Sequence, residues 1–246
     1  MATAQLVRPN PVLQRGLESV DIRRTAVGTE TMSIVGSVHA TAVFLFVLVV
    51  TAAIGWQVES APLTIGSAIV ALMLGIYTSF KPMHAQYTGL GYAAFEGIFV
   101  GAISQSFEQS YPGIVFQAAG LTIAILAALL GLYRSGKIRV TENFKLGVSA
   151  AVGGVFLFYM ASLVVSLFGV TMPLVSSNSV YGIGFSVFVV ALASATLVVD
   201  FDYIEQGAER GLPRQMNWYA AFGLMVSLIW LYLELLRLLA KLQSRR

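Results

Sequence analysis

Four carboxylates interrupt otherwise apolar stretches of the chain: Glu96 in YAAFEGIFVG, Asp200 and Asp202 in LVVDFDYIEQG, and Glu234 in LIWLYLELLRLL. An acid set among leucines and valines gives up its hydration. Inside a bilayer such a group faces a water-filled path or a partner rather than lipid. Two kinds of chemistry suit carboxylates so placed. Held close together, two acids raise one apparent titration and share a proton, so the couple acts as a pH switch. As hard oxygen donors they also coordinate Ca²⁺, whose loose geometry tolerates irregular sites. In a pore that coordination is weak and transient, because conduction requires the ion to leave.

The spacing of the acids separates their roles. Glu96 lies near the centre of its apolar run and is expected to face the bundle interior, lining something polar. Asp200 and Asp202 are two positions apart and project roughly 200° from one another on a helix, so one faces inward while the other is hydrated at a helix end. Acids at a helix C-terminus oppose the macrodipole, which argues against a purely stabilising pair. Glu234 has two readings: a local pair with Arg237, three positions on, or a meeting with an aspartate of the preceding segment to form the shared-proton couple. Glu234 with either Asp200 or Asp202 is therefore the candidate couple for pH sensing, gating and weak Ca²⁺ ligation, and Glu96 and the remaining aspartate are pore-lining or ion-binding candidates.

The elements that must position these acids are membrane spans. The chain has 246 residues, 57% hydrophobic and only 11% charged, against about a quarter charged in soluble domains. Seven apolar segments follow a mixed polar start: about 37–57, 62–80, 87–107, 113–133, 145–168, 181–203 and 216–240. Each is near the roughly 20 residues that cross the hydrocarbon. Pro62, Pro82, Pro112 and Pro213 mark their boundaries, where a missing amide donor costs least. The reading is an all-α membrane protein, with a flexible cytoplasmic tail over 1–35 and a seven-helix domain over 36–246. Gly97 and Gly101 form G-x-x-x-G, and Gly147, Ala151 and Gly154 lie close to one face; both stripes allow helix backbones to approach.

Lysine and arginine alternate along the connections. Arg8, Arg15, Arg23 and Arg24 lie in the tail, Lys81 in the second turn, Arg134, Lys137, Arg139 and Lys145 around the fourth, and Arg210 and Arg214 in the sixth, while the first, third and fifth have none. This pattern predicts a cytoplasmic amino terminus. Seven spans then place the carboxyl end, with Lys241, Arg245 and Arg246, on the opposite side; a re-entrant segment would bring both ends to the cytoplasm. Seven spans is the favoured count. No cleavable signal is evident, so the first span is expected to direct insertion.

Other classes find little support. Cysteine is absent, removing thiol chemistry and disulfides. The basic residues sit in loops and tails, not on a nucleic-acid face. His39 and His84 lack a metal-ligand spacing, and no nucleophile elbow, phosphate loop, dinucleotide turn or EF-hand loop is present. The expectation is a non-enzyme without a resident cofactor, whose partners are the lipid bilayer, Ca²⁺ and protons, and a further membrane protein.

The pieces YAAFEGIFVGAISQSFEQSYPGIVFQA, DFDYIEQG and WYAAFGLMVSLIWLYLELLRLL, with NPVL in the tail and MSIVGSV before the first span, resemble the bacterial branch of the Bax inhibitor-1, or transmembrane Bax inhibitor motif, family. The resemblance implies seven helices, one central and wrapped by six, and a pH-sensitive Ca²⁺ leak across a bacterial inner membrane. It further implies an acid pair between the sixth and seventh helices. Asp200, followed four positions later by Ile204, matches the first member. Glu234 takes the second place, where the family commonly has aspartate. Lys81 is the candidate for the family's basic partner near the second helix. Two other readings stand beside the leak channel. One is a membrane-embedded regulator of a partner such as an integral protease or stress-response complex. The other is a secondary transporter, which would carry inverted repeats that the two halves do not show.

Overall fold

The computed structural model describes residues 31–138, 140–169 and 179–245. Seven long helices follow one another: α1 (Ile34–Gly55), α2 (Ala61–Phe80), α3 (Ala85–Ser110), α4 (Ile114–Arg134), α5 (Glu142–Leu167), α6 (Val180–Glu209) and α7 (Met216–Gln243), with a 3₁₀ turn at Pro82–His84. No strand is present among the described residues, apart from an isolated bridge between Thr31 and Pro213. Most of the tail lies outside the described residues.

Local chemistry fixes the helix starts. The hydroxyls of Ser33, Thr141 and Ser179 accept from the amides of Gly36, Phe144 and Gly182 at 3.0, 3.2 and 3.2 Å, satisfying donors that a first turn leaves unpaired. Pro62 occupies the first turn of α2. Before α4 the chain reverses at Gly113, where φ is +85°, a conformation glycine adopts without Cβ strain. The Glu108 carboxylate accepts from the amides of Gly113 and Val115 there, at 2.5 and 3.1 Å.

Among the described residues, six helices are long and apolar enough to cross a membrane. The other, α3, has 26 residues but carries Gln86, Glu96, Gln105 and Glu108 among small residues, and it packs between α1 and α2. Phe80, Phe116 and Phe168 are exposed at 79%, 85% and 81%, as side chains facing hydrocarbon would be. Of the six apolar helices, α7 is the most enclosed. It packs against α1, α3, α4 and α6, whereas α5 packs chiefly on α6.

Where α1 crosses α3 the backbones meet. A Cβ at Gly101 would lie 2.0 Å from the Ala52 carbonyl, one at Gly97 2.0 Å from Thr51 Oγ1, and one at Gly55 2.2 Å from the Ile98 carbonyl. Residues 31–35, read from sequence as the end of a flexible tail, are held in the fold. Met32 is buried and its amide donates to Leu212 O at 2.7 Å. Asn217 Oδ1 accepts from the Ser33 amide at 3.0 Å and the Ser37 hydroxyl at 3.1 Å.

Candidate functional site

Two of the four acids, Asp200 and Glu234, each keep one buried oxygen without a hydrogen-bond partner among the described residues. Glu234 lies on α7, 2% exposed. Its Oε1 accepts from the Tyr159 hydroxyl of α5 at 3.0 Å and from Arg237 Nη1 at 2.9 Å. Arg237 also donates to the Tyr159 hydroxyl at 2.7 Å and lies 4.9 Å from the centre of its ring. Glu234 Oε2 is buried and makes no hydrogen bond of ordinary geometry among the described residues, although the Trp230 side chain lies beside the carboxyl. The local pair at three-residue spacing is thus formed, and the tyrosine completes a closed triangle of acid, guanidinium and phenol.

Asp200 projects from α6 toward α7. Its carboxyl faces the buried Ser227 hydroxyl, and its Oδ1 lies 3.6 Å from the place a Cβ would take on Gly223. Glycine at 223 leaves the room the carboxyl uses. Asp200 Oδ2 is the second buried oxygen without a partner among the described residues.

The structure does not bring Asp200 and Glu234 together as a shared-proton couple. Ser227 and Glu234 are seven positions apart, nearly two turns, so they lie on one face of α7 but about 10 Å apart along its axis. The register of α6 against α7 puts Asp200 at the Gly223–Ser227 level, while Glu234 meets a residue from α5. The two acids are separate stations along one helix.

Asp202 also departs from expectation. The sixth helix runs on to Glu209, so Asp202 is not at a wet terminus, and the macrodipole objection, confined to the last turn, does not reach it. Asp202 is 9% exposed. Its Oδ2 meets Lys145 Nζ of α5 at 2.8 Å and accepts from Gln206 Nε2 at 2.6 Å. Lys145 also reaches Glu142 at 2.9 Å. Asp202 therefore ties α5 to α6 through an ion pair, which leaves it poorly placed to line a path. The neighbouring Glu205 accepts from the Tyr133 hydroxyl of α4, so this end of α6 links three helices.

Glu96 stands half-buried near the middle of α3, one turn beyond Tyr92, with no hydrogen bond or ion pair among the described residues. Lys81, the candidate basic partner, is exposed at the end of α2 and makes no ion pair among the described residues; the ion pair at Glu234 is made by Arg237 instead. No group of three or more potential metal ligands occurs among the described residues.

Sequence reasoning missed three participants. Tyr159 gives no local signal, being one aromatic among many in α5. Lys145 was read only as loop charge. Lys241 was read as part of the basic carboxyl end, yet it is 5% exposed and donates to Gly182 O at 3.0 Å and Ser186 Oγ at 2.9 Å at the start of α6. Its signal was available: Glu234, Arg237 and Lys241 follow the i, i+3, i+7 spacing of one helix face.

No curated protein matches the chain. The family model for Bax inhibitor 1 like proteins matches residues 10–244, nearly the whole sequence, including all seven helices and every acid discussed above. The seven-helix membrane bundle and this match together place the chain in the Bax inhibitor 1 like family.

Proposed function

We propose that the protein is a pH-sensitive cation leak for Ca²⁺, in which Asp200 and Glu234 act as two successive stations and Glu96 lines the route. The observation that carries this reading is the pair of buried, unpartnered carboxylate oxygens, Asp200 Oδ2 and Glu234 Oε2. A buried carboxylate oxygen without a donor is satisfied by a proton or by a cation. The two compete for the same atoms, so passage of the cation depends on pH without a shared-proton pair. Arg237 supplies the closed state. Its guanidinium holds Glu234 Oε1 as a tethered cation, and a mobile ion engages that oxygen only when Arg237 swings away. Membership of the family supports the reading, and the alternating loop charge supports a bacterial cell membrane with the amino terminus cytoplasmic.

The test is Ca²⁺ flux into liposomes holding the purified protein, from about pH 6 to about pH 8. Wild type is expected to show a flux that varies with pH. Glu234→Gln and Asp200→Asn are each expected to flatten that profile, and Arg237→Gln to raise the flux. Folded protein with no flux above empty liposomes would overturn the reading, and a pH profile unchanged in both acid variants would remove the two stations from it.

A further inference from the structure

Three polar side chains follow one another along α7 at seven-residue intervals: Ser227, Glu234 and Lys241. Seven residues make nearly two full turns, so the three share a face and stand about 10 Å apart along the axis. The first two mark the stations proposed above, Ser227 facing the Asp200 carboxyl and Glu234 carrying its own. The third is, among the described residues, the one buried basic side chain, 5% exposed. Its ammonium lies within electrostatic reach of Glu234 and Arg237 and donates to Gly182 O and Ser186 Oγ. Both acceptors belong to the first two turns of α6 and are buried. One position before Gly182 the helix is open, with Tyr181 81% exposed. Lys241 thus ends the row where the bundle meets its surroundings.

What the ammonium occupies decides its role. A main-chain carbonyl and a hydroxyl are neutral oxygens of the kind that line cation routes, and here a tethered cation already holds them. Tying α7 to a neighbour does not require a charge: on another side of the same helix, the hydroxyls of Tyr232 and Ser104 join α7 to α3 at 2.7 Å without one. Burying an ammonium costs far more than burying a hydroxyl. A charge fixed at that point repels every cation that leaves or approaches Glu234, and the work grows in proportion to the charge of the ion. We propose that Lys241 is the terminal barrier of the route through Asp200 and Glu234: its ammonium fills a third cation station, made by Gly182 O and Ser186 Oγ, and holds back Ca²⁺ more strongly than monovalent ions. This rests on the leak reading and adds to it a residue that sets selectivity by charge.

The experiment compares Ca²⁺ and K⁺ flux into liposomes holding wild type, Lys241→Met or Lys241→Arg. Methionine keeps most of the side chain's length and removes its charge. Because the repulsion doubles with the charge of the ion, a factor of about 3 for K⁺ becomes about 10 for Ca²⁺. Lys241→Met is therefore expected to raise Ca²⁺ flux about tenfold, well beyond any rise for K⁺. Lys241→Arg, which restores the charge, is expected to restore the wild-type ratio of the two ions. Lys241→Gln keeps a donor for the two oxygens, is expected to match the methionine variant, and covers the case in which methionine prevents folding. Equal rises for both ions, which a merely loosened bundle would give, would overturn the proposal and leave the leak reading in place. So would a Ca²⁺ flux unchanged or lowered in the folded neutral variants, or an arginine variant with the methionine ratio. Wild type without flux would remove the leak reading and this barrier with it.

Discussion

Two stripes of small residues, both readable in the sequence as helix-packing faces, behave differently in this bundle. On α3, Gly97 and Gly101 lie where added Cβ atoms would strike Thr51 Oγ1 and the Ala52 carbonyl, each at 2.0 Å. On α5, Gly147 and Gly154 of the stripe that includes Ala151 have nothing within 4 Å of such a Cβ. In the first case the absent side chain lets two backbones touch, and dispersion over a dry interface holds the helices together. In the second it only weakens an exposed helix. Small residues at four-residue spacing therefore permit close packing without specifying it; the partner surface, here the carbonyls and Thr51 of α1, decides.

The contrast gives an ordered set of expectations. Gly101→Leu is the most damaging, because the Ala52 carbonyl cannot move without α1. The expected loss is about 3 kcal/mol or more, read as collapse of the thermal transition of the detergent-solubilised protein. Gly97→Ala adds one methyl where Thr51 Oγ1 can rotate aside but the Leu48 carbonyl, 2.5 Å away, cannot; about 1–3 kcal/mol is expected by the same assay. Tyr232→Phe leaves the Ser104 hydroxyl of α3 without its partner and is expected to cost about 1 kcal/mol. Lys145→Met removes the Asp202 ion pair, and faster hydrogen exchange at the start of α5 is expected, with α3 unaffected. Gly154→Ala should be neutral or stabilising by about 0.5–1 kcal/mol, the helix preference of alanine over glycine. A Gly154→Leu variant as unstable as Gly101→Leu would break the comparison, since it would mean that the α5 stripe also has a close partner.

Much of this architecture was legible because long apolar runs between prolines and capping residues leave few alternatives. Glu234 and Arg237 were also legible as neighbours, since three-residue spacing on a helix is local information. What sequence could not supply was register. Asp200 was expected opposite Glu234, but the axial offset of α6 against α7 depends on the Gly207–Asn217 connection and on the room beside Gly223, neither of which has a periodic signature. The end of α6 was misjudged for a related reason: Tyr203–Glu209 turns polar where the helix leaves hydrocarbon, and polarity was read as termination. The Lys145–Asp202 pair joins residues 57 positions apart in sequence and becomes visible only once the helices are placed.

The strap joining Thr31–Ser37 to the connection before α7 has a consequence for biosynthesis. The Ser33 amide and Asn217 Oδ1 are 184 residues apart in sequence. At about 5–20 residues per second, α1 waits on the order of 8 to 32 s after its own synthesis before Asn217 is made. During that interval the amino-terminal end of the first span lacks Asn217, and the α1–α3 glycine contact, completed far earlier in translation, is available to hold the nascent helices together. A chain truncated before residue 217 would therefore lack the acceptor that holds both the Ser33 amide and the Ser37 hydroxyl at the start of α1.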